Sequence, residues 1–87
     1  MDIQVFGPGT ARSAALTKQC QLVAAEKGGG ISVSKIANRD RISELGIREL
    51  PVVAIDGIVK SSGRIPSRGE ISNWIDEAAA RRHPTRH

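Results

Sequence analysis

Apolar residues along this chain fall into short clusters separated by glycines, and their spacing changes from one cluster to the next. Ile3, Val5 and Phe6, after a short polar start, predict a strand buried on at least one face and ending at Gly7-Pro8-Gly9. From Thr10 to Lys27 good helix formers predominate. Leu16, Cys20, Val23 and Lys27 fall on one stripe with Ala24 beside it, and Gly28-Gly29-Gly30 stops the helix. Ile31, Val33 and Ile36 then alternate with Ser32, Ser34 and Lys35, which predicts a second strand parallel to the first through a right-handed helical crossover.

Asn38 offers a side-chain oxygen to the first free N–H groups of a short helix ending at Leu45. Gly46 suits the left-handed position that follows, with Ile47 packing back on Ile42. Pro51 to Ile55 and Ile58 to Ser61 are two apolar runs joined by Asp56-Gly57, the turn chemistry of a type I′ hairpin, so these strands are antiparallel neighbours. Ser67-Arg68-Gly69-Glu70 has the form of a capping box, and the helix it opens places Ile71, Trp74, Ile75 and Ala78 on one face. The predicted order is β-α-β-α-β-β-α, a single α/β domain over residues 1–80. A basic tail, 81–87, is expected to fray, and no repeat or linker interrupts the order.

Composition narrows the function classes. The 87 residues suffice for one core, and 39% apolar content is incompatible with disorder along the whole chain. Phe6 and Trp74 are the only aromatics, which excludes recognition of nucleic acid by stacked bases. The net charge of +4 favours loose association with anions, but much of the excess is local: Arg81, Arg82 and Arg86 lie in the last seven residues with His83 and His87. A solvated chain end is the plain reading of that tail, and an arm for an anionic surface is the alternative. No stretch reaches the length of a membrane span and Met1-Asp2-Ile3 lacks the pattern of a secretion signal, so a cytoplasmic location with no membrane partner is expected.

The single cysteine, Cys20, rules out an internal disulfide and a cysteine-based metal cluster within one chain. It shares the core stripe with Leu16 and Val23 and lies about 10 Å along the helix from Ser13 at 1.5 Å per residue, so a buried, inert thiol is expected. His83 and His87 are spaced i, i+4, but Pro84 interrupts the helix that would bring them together; no metal and no cofactor are implied.

Gly-x-Gly at the end of the first strand, Leu50-Pro51 before the third and Ser62-Gly63-Arg64-Ile65-Pro66-Ser67 before the last helix follow one another in an order that resembles the small redox-active disulfide proteins. These are compact thioredoxin- and glutaredoxin-like domains, and the resemblance runs from about Ile3 to Ile75. It implies a thioredoxin-like fold with a four-stranded mixed sheet flanked by three helices. In that family a Cys-x-x-Cys follows the Gly-x-Gly turn; here Thr10-Ala11-Arg12-Ser13 stands in its place, so Thr10 and Ser13 are degenerate active-site positions. By the same mapping Pro51 matches a proline that is cis and faces the reactive site, and Gly63 matches the glycine that turns the chain toward the last helix.

Helix capping accounts for both hydroxyls, since a helix starting here needs oxygens for its free N–H groups. An alternative is an anion or peptide pocket built from the amides of this turn, the hydroxyls and Arg12. Neither hydroxyl is catalytic, because no base lies nearby in the sequence. The leading expectation is therefore a non-catalytic domain whose groove, formed by Gly9, Thr10, Arg12, Ser13, Leu50, Pro51 and Gly63, binds a peptide, a small thiol compound or a protein partner. The alternatives are the thiol-disulfide oxidoreductase activity of the family and, below it, a basic nucleic-acid module using the tail with Arg12, Arg39, Arg41, Arg48, Arg64 and Arg68. A monomer or weak homodimer is expected.

Overall fold

A computed structural model describes residues 1–82 except Thr10, Gly29 and Ile47. Its elements are β1 (Asp2–Phe6), α1 (Ala11–Glu26), β2 (Ser32–Ile36), α2 (Arg39–Glu44), β3 (Val52–Ile55), β4 (Ile58–Ser62) and α3 (Arg68–Arg82), in the order expected. The sheet runs β2-β1-β3-β4. β1 pairs parallel with β2, across the α1 crossover, and antiparallel with β3, which pairs antiparallel with β4.

Alternation along the two central strands divides the core. Ile3 and Val5 of β1, with Val53 and Ile55 of β3, face Leu16, Cys20 and Val23 of α1 and Ile71, Ile75 and Ala78 of α3. Phe6, Val52 and Ala54 point the other way, where Ile42 of α2, Leu45, Ile36 and Leu50 cover them. β3 is buried at every position, so both helical layers depend on it. Each aliphatic chain taken fully out of water, as Leu16 and Ile71 are, contributes roughly 1.5–3 kcal/mol.

Local chemistry sets the ends of the elements. Asp56 and Gly57 both have positive φ, 51° and 86°, as a type I′ turn requires. The hairpin is also tied to β1, because the Asp2 amide donates to Asp56 Oδ1 (2.9 Å) while the Asp56 amide donates to the Asp2 carbonyl (2.8 Å). Asn38 Oδ1 accepts from the amides of Asp40 (2.8 Å) and Arg41 (3.2 Å), which caps α2.

Several boundaries differ by a residue or two, among them the end of α2 at Glu44, the start of β3 at Val52 and the end of β4 at Ser62. α1 ends at Glu26, so Lys27 leaves the apolar stripe and pairs with Asp76 at 2.9 Å. β2 begins at Ser32, one residue after Ile31. α3 continues through Arg82, beyond the boundary drawn at residue 80, because Ala78-Ala79-Ala80-Arg81-Arg82 are strong helix formers and no breaker precedes Pro84. The expected packing of Ile47 on Ile42 and the tail residues 83–87, including His83 and His87, lie outside the described residues. No helix among the described residues is long and apolar enough to cross a membrane.

At the start of α3 the Glu70 amide donates to Ser67 Oγ (3.2 Å) and the Ser67 amide to Glu70 Oε1 (3.0 Å), closing the capping box. Arg64 adds a bidentate contact to the same carboxylate, 2.9 Å to each oxygen. The Arg64 hydrogen bond, and after it the Ser67 amide, hold the Glu70 carboxyl down to about 2 from an ordinary 4.5. Glu70 thus binds its proton more weakly folded than unfolded. Its stabilising contribution is complete above about pH 4.5 and is lost as pH falls toward about 2. Glu70→Gln, which keeps a capping oxygen, is expected to flatten the fall of the urea midpoint across that window; parallel wild-type and mutant curves would show that the pair carries no pH-dependent stability.

Candidate functional site

The end of β1, the first turn of α1 and the approach to β3 meet at Gly7. Its amide donates to the Ile36 carbonyl at the end of β2 (3.0 Å). A Cβ added to Gly7 would stand 2.0 Å from Ser13 Oγ, 2.9 Å from Ser13 Cβ and 3.7 Å from Pro51 Cβ, so the site admits only glycine without displacement. Ser13, the third residue of α1, is completely buried with its side chain against Gly7, and its carbonyl accepts from Thr17 Oγ1 at 2.8 Å. The Leu50–Pro51 peptide is cis, and Pro51 is buried.

Gly63 lies on the other side of Pro51. Its amide donates to the Pro51 carbonyl (3.0 Å), extending the β3–β4 ladder by one step, and its carbonyl accepts from the Arg12 guanidinium (3.2 Å). Its φ is 77°, and a Cβ there would approach Glu49 Cβ to 2.9 Å and Glu49 Oε1 to 3.1 Å, so both conformation and space call for glycine. Arg12, Ser13, Pro51 and Gly63 are therefore gathered. Gly9, at φ 80°, stands on the exposed side of the turn with nothing within 4 Å of a notional Cβ, and Thr10 lies outside the described residues.

Leu50 opens onto a surface that sequence reasoning did not assemble. A cleft of about 330 Å³ is lined by Pro8, Ala37, Arg39, Ile42, Ser43 and Leu50. Arg39 stood out in the sequence only as one basic residue among several, and Ile42 only as core. Leu50 follows α2 closely in the chain, but nothing in that stretch marked how the helix would turn relative to it, and Pro8 comes from a distant segment. Among the described residues neither the N–H nor the C=O of Leu50 has a backbone partner. Four apolar residues, Pro8, Ala37, Ile42 and Leu50, share the lining of the cleft with Arg39 and Ser43.

Cys20 is fully buried between α1 and the sheet, and desolvation pushes its thiol up to about 11. At neutral pH it is a protonated, apolar filler without the thiolate that exchange requires. Among the described residues no three His, Cys, Asp or Glu side chains gather as a metal ion would need.

A β2-β1-β3-β4 mixed sheet with α1 and α3 on one face and α2 on the other, and with the first helix opening against the residues that precede the third strand, defines a thioredoxin-like domain. The chain belongs to the thioredoxin domain family, whose profile matches residues 1–76. A thioredoxin from Methanothermobacter thermautotrophicus is 38% identical over 75 residues, covering 86% of this chain and 97% of the relative.

Gly7→Ala is expected to lower unfolding free energy by about 1–3 kcal/mol in urea titrations, the usual cost of overpacking a closed site. Adding Ser13→Ala should restore part of that loss by removing the hydroxyl in the way; no recovery would place the strain elsewhere. Cys20 is expected to react slowly with Ellman's reagent in the native protein and rapidly in denaturant. Equal rates in the two states would show that the thiol is reachable from solvent.

Proposed function

We propose that this protein is a thioredoxin-family domain that binds an extended peptide segment of a partner without thiol-disulfide chemistry. The observation that carries the reading is the separation of thiol from groove: the chain's one cysteine is in the core with its pKa at about 11, while Leu50, whose backbone has no partner among the described residues, lines the cleft. Disulfide exchange proceeds by attack of a thiolate on a disulfide sulfur and passes through a mixed disulfide. The hydroxyls of Thr10 and Ser13, at the degenerate positions, form no such bond. Backbone pairing with a bound strand needs only the N–H and C=O of Leu50, so recognition is independent of those two side chains.

A second reading, thiol-disulfide oxidoreductase, is favoured by family membership and by the thioredoxin relative. It would have to run through Cys20. The two readings separate in an insulin-reduction assay with dithiothreitol: the wild-type protein is expected to match the protein-free blank, and Thr10→Cys with Ser13→Cys to exceed it. Wild-type turnover at the rate of that double variant, persisting in Cys20→Ala, would overturn the first reading. Binding is checked by selection from a phage-displayed library of random peptides. Ser43→Trp fills the cleft from an exposed position and is expected to abolish the enrichment seen with wild type; enrichment that survives it would place the binding surface elsewhere.

A further inference from the structure

We propose that the groove selects segments in which a large apolar side chain is accompanied by an acidic residue on its α2 side, with Arg39 reading the carboxylate; this rests on the peptide-binding reading above. The cleft is walled by Pro8, Ala37, Ile42 and Leu50, which suit an aliphatic or aromatic side chain, and among the described residues Arg39 is the only charged one that lines it. Helical phase explains why. Arg39, Ile42 and Ser43 stand at i, i+3 and i+4 on one face of α2, whereas Asp40 and Glu44 are rotated about 100° and 140° from Arg39 and are exposed.

Its place on the cleft, which Lys18, Lys35, Arg41, Arg48 and Arg81 do not share, sets Arg39 apart among the described basic residues that lack an ion pair. Lys27, Lys60, Arg64 and Arg68 each have a carboxylate partner, in Asp76, Glu77, Glu70 and Glu26. Among the described residues Arg39 has none. On the opposite side of Leu50-Pro51, Arg12 is held by the Gly63 carbonyl and Glu49 packs on the same glycine, so that side offers no net attraction to an anion. Arg39 is therefore the charge that borders the cleft beside Leu50 among the described residues. A guanidinium at the edge of an apolar cleft accepts a carboxylate through two parallel N–H···O bonds, and it repels a lysine at the same position.

The test uses the full chain at physiological salt with a phage-displayed library of random peptides, selected in parallel on wild type, Arg39→Glu and Ser43→Trp. Wild type is expected to enrich peptides with a large apolar residue beside Asp or Glu. Arg39→Glu should keep the apolar preference and exchange the acidic neighbour for Lys or Arg. With a fluorescein-labelled peptide of the enriched sequence, Arg39→Glu is expected to weaken binding about fivefold or more and to favour the lysine-substituted version. Apolar enrichment with no charge preference, unchanged by Arg39→Glu, would overturn this inference and leave the peptide-binding reading standing. Acidic enrichment that survives Arg39→Glu would also overturn it, because the selecting charge would then lie elsewhere on the chain. Absence of any enrichment sensitive to Ser43→Trp would overturn both.

Discussion

The close approach of Gly7 to Ser13 and Pro51 is the contact on which the position of every proposed binding element depends. Gly7 takes its hydrogen-bond acceptor from the last residue of β2 and lies against the first turn of α1 and the residue preceding β3. Four elements are thereby held at one point, and the missing Cβ is what permits it. Cores pack at crystal-like density, so a single added methyl here has no void to enter and must displace either the helix start or Pro51.

Charge is distributed with a similar economy. The ion pairs join the end of α1 to α3, the start of α3 to α1, β4 to α3 and the chain before α3 to its capping box. Pairs this exposed contribute little to stability. The α2 side is treated differently. Its helix is short and carries no buried residue, and Arg39 reaches the cleft without an internal partner among the described residues. The asymmetry of the molecule is structural, with α1 and α3 packed on one face of the sheet and the short α2 on the other.

Membership of the thioredoxin family and a chain with one cysteine are compatible because the fold does not draw its stability from thiols. The core that holds α1 and α3 to the sheet is aliphatic, and Cys20 serves in it as another small apolar side chain. Ser13 is buried against glycine where solvent does not reach. The cis Leu50–Pro51 peptide and the cleft that Leu50 lines likewise involve no sulfur.

Elements governed by interactions within a few residues were legible in the sequence. The Asp56-Gly57 turn, the Asn38 cap and the Ser67–Glu70 capping box are each closed by atoms no more than three positions apart, whereas the unbroken apolar run of β3 did not show which of its residues face which layer. The thioredoxin-like arrangement was legible as well, because several such local signals recur in one order. The placement of β1 between β2 and β3, and of α2 alone on the far face, needed the tertiary structure. So did the link from Arg12 to Gly63, 51 residues away, and the cleft that brings Pro8, α2 and Leu50 together. Those contacts join segments with no local preference for each other. They exist because burying both faces of β3 leaves one arrangement of the chain, and no pattern along the sequence records which exposed residues that arrangement makes neighbours.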